Sequence, residues 1–227
     1  RTISKKNKTI FTKFGSTRHF SNYFTAIDLV YRNVYEALHC TNDILKFMIL
    51  IDGKKEAALL REQLKKEVSE LKIKHNKVPG LTVILIGDFT PSQIYVRNKE
   101  KSANEVGLKS EVVKYPDSVE EKVVLDKIDE LNKDSSVSGI LVQLPLPKHI
   151  DKQKIIEAID PSKDVDGFHP VNVGNLSSGY ESSVPCTPLG CYLLIKKIEP
   201  NLNGKKAVVV GRSNLNGKPM TQLLLKE

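Results

Sequence analysis

Long apolar runs are missing from this 227-residue chain: the stretch from Ile44 to Ile51 is far shorter than the roughly 20 residues that a membrane-spanning helix needs. Cysteine is scarce and unpaired in pattern. Cys40, Cys186 and Cys191 make an odd count with no C-x-x-C spacing, which excludes a disulfide framework and a cysteine-rich zinc site and suits a reducing compartment. Neither an internal repeat nor a low-complexity tract follows residue 27. Acid is missing from the opening segment, where the first 27 residues hold six Lys/Arg and no Asp or Glu. Of the formal net charge of +8, only +2 therefore belongs to the rest. A basic nucleic-acid-binding face on the folded part is not indicated.

The segment Arg1 to Ile27 is also rich in Ser, Thr, Asn and Phe, a composition similar to an organelle transit peptide; a disordered basic tail is the alternative. Targeting to a mitochondrion or plastid is the corresponding expectation, with a cytoplasmic location otherwise. Residues 28–48 form a lead-in of undefined type. The whole chain has 40% apolar and 27% charged residues, ordinary for a folded protein with a sizeable core.

What is present after residue 52 is regular alternation. Leu60, Leu64, Val68 and Leu71 mark one face of a long charged helix that Pro79-Gly80 ends. Leu81 to Ile86 reads as a buried strand. Thr90-Pro91-Ser92-Gln93 then predicts a helix start with Thr90 as N-cap, Pro91 in the first turn and Gln93 completing a capping box, and Gly107 predicts its end. A strand near Glu111 to Tyr115 precedes a helix opened by Ser118-x-x-Glu121 and carrying Val124, Ile128 and Leu131. Strands alternating with helices predict an α/β fold, a parallel sheet of right-handed βαβ units.

The third strand is the most informative. Gly139-Ile140-Leu141-Val142 opens on Gly and runs through Gln143-Leu144 into Pro145 and Pro147, which cannot extend a central ladder, so Gln143 falls at the carboxyl end. Ligands of open α/β sheets bind at that edge, where an amide can orient a substrate or another side chain; a plain strand-end cap explains Gln143 equally well. Tyr95 and Lys99, four apart on the preceding helix, share a face near the same edge. A lysine there can act as general acid or base, although spacing alone favours a surface lysine beside a half-buried tyrosine.

Asp164 and Asp166 stand one residue apart and would point the same way from an extended backbone. They read as a metal-binding pair, as one carboxylate accepting two N–H donors from a heterocycle, or as turn caps; no third hard ligand stands at a useful spacing, so no metal is assigned. Pro185-Cys186-Thr187-Pro188 predicts a helix start with Thr187 as N-cap, and Cys186 is read as a packing residue. Lys205 to Val210 reads as a strand, followed by a Gly211 turn and a helix. Ser213 and Asn216 stand where G-x-G-x-x-G has glycine, and five residues between Gly211 and Gly217 do not make a P-loop. Arg212 and Ser213 at that helix entrance could hold a cofactor phosphate.

In this order, Ile51-Asp52-Gly53-Lys54, Pro91-Ser92-x-x-Tyr95-Val96-x-x-Lys99, Gly139 to Pro147, Lys163 to Pro170, Pro185 to Gly190 and Gly211 to Met220 closely resemble the bifunctional methylenetetrahydrofolate dehydrogenase/methenyltetrahydrofolate cyclohydrolase family. The resemblance covers about residues 49 to 227. It implies a catalytic, folate-binding domain at 49–185. A linker helix and the first strand, turn and helix of a Rossmann-like NADP-binding domain follow at 186–227, since the 23 residues from Lys205 are fewer than the roughly 30 of a βαβ unit.

By that resemblance Lys99 is the catalytic lysine of the hydrolytic step, Gln143 keeps it oriented, Tyr95 stacks on the folate, and Asp166 rather than Asp164 anchors the pterin. Gly211, Arg212 and Ser213 contact the cofactor, NADP with NAD as the alternative. The implied activity is oxidation of 5,10-methylenetetrahydrofolate to the methenyl form and hydrolysis of that to 10-formyltetrahydrofolate, in a protein that is a homodimer at full length. The competing expectation is a catalytically incomplete protein that binds folate or a partner subunit. Neither nucleic acid nor membrane is an expected partner.

Overall fold

A computed structural model describes residues 51–227; the expectations for 1–27 and 28–48 lie outside the described residues. Between Gly53 and Glu227 the elements run α1 (Gly53–His75), β1 (Gly80–Ile86), α2 (Thr90–Val106), β2 (Lys109–Tyr115), α3 (Glu121–Lys133), β3 (Gly139–Val142), α4 (Lys152–Ala158), α5 (Pro170–Ser177), α6 (Cys186–Ile198) and α7 (Gly217–Leu225). The three strands form one parallel sheet in the order β2-β1-β3. The predicted α/β class is thus realised. No helix among the described residues is long and apolar enough to cross a membrane.

The sheet explains why β1 reads as an unbroken apolar run. Successive side chains of a strand point to opposite faces. Ile84 and Ile86 join Val124 and Ile128 of α3, Ile140 and Val142 of β3 and Ile155 of α4 in one cluster. Val83 and Leu85 join Val96 of α2 and Leu141 in the other. Both faces are dry, so no position of β1 is left for a charge. Ile84, Ile128, Ile140 and Ile155 are wholly buried, each contributing on the order of 1.5–3 kcal/mol of burial.

Strand order also dictates where a ligand can sit. The chain leaves β1 through α2 to one neighbour, β2, and returns through α3 across β1 to the other, β3. Crossovers of one hand travelling in opposite directions put α2 and α3 on opposite faces and open a crevice at the carboxyl ends of β1 and β3. Registration there is close: Leu81 pairs with Gly139 and Ile84 with Val142, and the Gln143 amide donates to the Ile84 carbonyl at 2.9 Å.

Three helix starts differ from expectation. Thr90 is the first residue of α2, preceded by an extended Phe89 as cap, and no side chain caps the end. Gly87, at φ 76°, turns the chain sharply after β1, so the helix begins one residue early and the Gln93 side chain reaches back to Asp88 at 3.4 Å. Ser118 does not cap α3, which starts at Glu121 after Glu120. The Glu121 carboxylate instead accepts from the Asp151 backbone N–H at 2.6 Å and from Lys154 at 3.0 Å, joining α3 to α4, while Asp151 caps α4 through the Gln153 and Lys154 amides. Nor does Thr187 cap α6; Cys186 already belongs to the helix, behind Pro185.

Two further expectations change. Of the apolar face predicted for α1 only Val68 is buried, and Leu60, Leu64 and Leu71 are exposed. The strand expected from Lys205 to Val210 pairs with no other strand among the described residues: Val208 and Val210 are 90% and 82% exposed. A strand exists only through a partner's hydrogen bonds, so the β-prone sequence alone does not make one.

Candidate active site

α2 delivers Lys99 and β3 delivers Gln143 to the crevice. Lys99 Nζ donates to Gln143 Oε1 at 3.2 Å, and Gln143 Nε2 donates to the Leu144 carbonyl at 2.8 Å. The second bond decides the orientation of the amide. With its N–H side held by Leu144, the carbonyl side faces the lysine. A neutral amide orients an amine without the charge pairing by which a carboxylate would keep the proton in place. Tyr95, one turn earlier on the same face of α2, is 54% exposed and accessible to a ligand.

The two aspartates have separate surroundings. Asp164 bridges in parallel to Ile140 of β3, as an extended residue does, whereas Asp166 lies in the turn that follows, so the extended backbone expected of both holds only for the first. Asp164 is only 3% exposed, and its Oδ2 accepts from the His169 backbone N–H at 2.8 Å and from Asn172 Nδ2 at 2.9 Å. That carboxylate is committed to its own segment. Asp166 is half-buried beside a recess lined by Val142, Leu144, Ile155 and Phe168. Burial there raises its carboxyl above the ordinary value; Lys99 opposes the rise and Asp164 adds to it. The opposing influence of Lys99 places Asp166 within electrostatic reach of that lysine.

Cys186 is exposed rather than packed in the core, yet its thiol is pushed up by desolvation and by the nearby Asp166 charge. It therefore lies beside the site, a neighbourhood that its distance in sequence from Lys99 conceals. A raised thiol is the opposite of an activated nucleophile.

Gly211, Arg212 and Ser213 lie on a separate, exposed loop before α7. The Ser213 carbonyl accepts from the Lys218 amide at 3.1 Å and its Oγ from the Asn216 amide at 3.1 Å. Gly211 passes so close to Gly217 that a Cβ at 217 would overlap the Gly211 carbonyl, which forces glycine there and folds the loop over the first turn of α7.

Residues 51–166 match the family model for the tetrahydrofolate dehydrogenase/cyclohydrolase catalytic domain, and residues 185–227 match that for its NAD(P)-binding domain. The bifunctional protein FolD of Pelagibacter ubique is 83% identical over 180 residues, covering 79% of this chain and 64% of the relative; the protein of that name from Listeria innocua is 54% identical over 178 residues, covering 78% and 62%.

Among solved structures, the bifunctional FolD enzyme of Campylobacter jejuni superposes with a TM-score of 0.77 at 49% identity, over 79% of this chain and 64% of that one. The Trypanosoma brucei dehydrogenase-cyclohydrolase, solved with NADP cofactor and inhibitor, gives 0.75 at 35% identity, over 78% and 61%. The chain thus spans less than two thirds of the length of these relatives. Its matching domains, in this order and at these identities, make it a member of the tetrahydrofolate dehydrogenase/cyclohydrolase family.

Proposed function

We propose that this chain carries the folate site of a bifunctional enzyme that oxidises 5,10-methylenetetrahydrofolate with NADP and hydrolyses the methenyl product to 10-formyltetrahydrofolate. The observation that carries the reading is the Lys99–Gln143 contact of 3.2 Å at the carboxyl edge of the sheet, within reach of Asp166. Water attacking the methenyl carbon must lose a proton, and the ring nitrogen that departs must gain one. Lys99 serves as acceptor and donor in turn, held by Gln143. Asp166 accepts the pterin N–H donors, and the Tyr95 ring stacks on the folate.

The Gly211–Gly217 loop fits a phosphate group. It exposes Arg212 and Ser213 at the N-terminus of α7, and an arginine can pair with a 2′-phosphate. NADP, when bound, takes up the hydride released by the methylene carbon. What the chain's own residues contribute to that step is positioning rather than acid–base chemistry. NAD is the alternative cofactor. Homodimer formation in the full-length protein and absence of nucleic-acid binding belong to the same reading. The acid-free composition of residues 1–27 supports organelle targeting.

A paired assay tests the proposal: decay of methenyltetrahydrofolate is expected with this chain, and NADP reduction with methylenetetrahydrofolate is expected where the full-length protein is used. Binding of the folate without either activity would instead favour the catalytically incomplete alternative. A pH profile supplies an independent check. Asp166 must be ionised to accept two donors, and its carboxyl is raised. KM is therefore expected to rise as the pH falls, starting above the pH at which an ordinary aspartate, with a pKa of about 3.9, protonates. The Asp166→Asn variant loses that acid limb; an unchanged limb would remove Asp166 from the binding role.

A further inference from the structure

We propose that Lys163 is a positioning residue for Asp166, tying the turn that bears it to the carboxyl end of α3; the inference rests on the folate-binding reading of Asp166 given above. Lys163 Nζ donates to the carbonyls of Leu131 at 2.9 Å, Asn132 at 2.8 Å and Asp134 at 2.8 Å. These are carbonyls at the end of a helix, which have no intrahelical partner and sit at the negative end of its dipole. An ammonium has three N–H donors, and all three are used. Such bonds are charge-assisted and stronger than neutral ones.

The same residue grips the sheet through its backbone. The Lys163 carbonyl accepts from the Ile140 amide at 2.8 Å, and its own amide donates to the Asp160 carbonyl at 2.8 Å. Lys163 therefore joins three things: the end of α3, the strand that leads to Gln143, and a turn whose Asp166 lies three residues on. Asn132 adds a second tie, donating to the Ala158 carbonyl and accepting from the Asp160 amide. A solvated surface lysine would leave its donors to water. This one is committed to three backbone oxygens that hold the Asp166 turn against the crevice.

The test compares the full chain with its Lys163→Met, Lys163→Gln and Lys163→Arg variants and with Asp166→Asn, following methenyltetrahydrofolate hydrolysis and amide exchange at Ile140 and residues 164–169. Lys163→Met is expected to raise KM about tenfold or more with kcat within about threefold, the signature of lost binding rather than lost chemistry. Lys163→Arg restores most of the affinity, and exchange of the Ile140 amide quickens in the Met variant.

If Lys163→Met does not fold, Lys163→Gln carries the comparison. A KM within twofold of wild type in the Met or Gln variant, while Asp166→Asn raises it, overturns the positioning role and leaves the folate reading standing. An unchanged KM in Asp166→Asn overturns both.

Discussion

Replacing Lys99 by methionine is expected to slow the proposed hydrolysis of methenyltetrahydrofolate by about 10²-fold or more while leaving the chain folded. The asymmetry follows from the contacts. Lys99 makes one side-chain hydrogen bond, 3.2 Å to Gln143, and methionine matches its unbranched stem and its packing. What disappears is the group proposed to take a proton from water and return it to the departing nitrogen. Steady-state decay of the methenyl substrate measures the loss, and denaturant unfolding measures the unchanged stability. An undiminished hydrolysis rate in a folded Lys99→Met chain would end the assignment.

Gly139→Ala is the second substitution with a large expected effect, and it acts without touching any reacting group. A Cβ at Gly139 would overlap Val165 Cγ1 and meet Leu81 Cδ1 at 3.5 Å. Valine is stiff at χ1, so Val165 cannot turn aside cheaply, and it lies between Asp164 and Asp166. The added methyl pushes the aspartate segment away from β3. Overpacking of this kind costs about 1–3 kcal/mol, which urea unfolding resolves. KM for the folate is expected to rise with it, because Asp166 moves. Adding Val165→Ala opens the space again, and a double mutant no more stable than the Gly139→Ala single would refute the steric account.

Much of this was legible in residue order. The apolar runs of β1 and β3, the latter ended by Pro145, announced a sheet buried on both faces, and the position of Gln143 just past Val142 followed from proline chemistry. Helix spacing put Tyr95 and Lys99 on one face, as the sheet edge then required. What stayed hidden depends on partners far off in sequence. Asp164 and Asp166 look equivalent in print; only the His169 amide and the Asn172 side chain, brought round by α5, set them apart. Lys163 gives no sign of reaching carbonyls near residue 132. The caps at Thr90, Ser118 and Thr187 were misplaced because a cap is fixed by backbone turn geometry as much as by residue type.

The pairing of β1 with β3 carries one more implication. Leu81 opposite Gly139 and Ile84 opposite Val142 place Gln143 where it meets Lys99. Were β3 to slide by a single residue along β1, Gln143 would travel about 3.3 Å and turn to the other side of the sheet, away from the lysine. Gly139 would then face the wrong neighbours as well. On the proposed reading, turnover is thus a proofreading signal for the folding of the sheet: a misregistered molecule would keep every side chain of the site and still be silent.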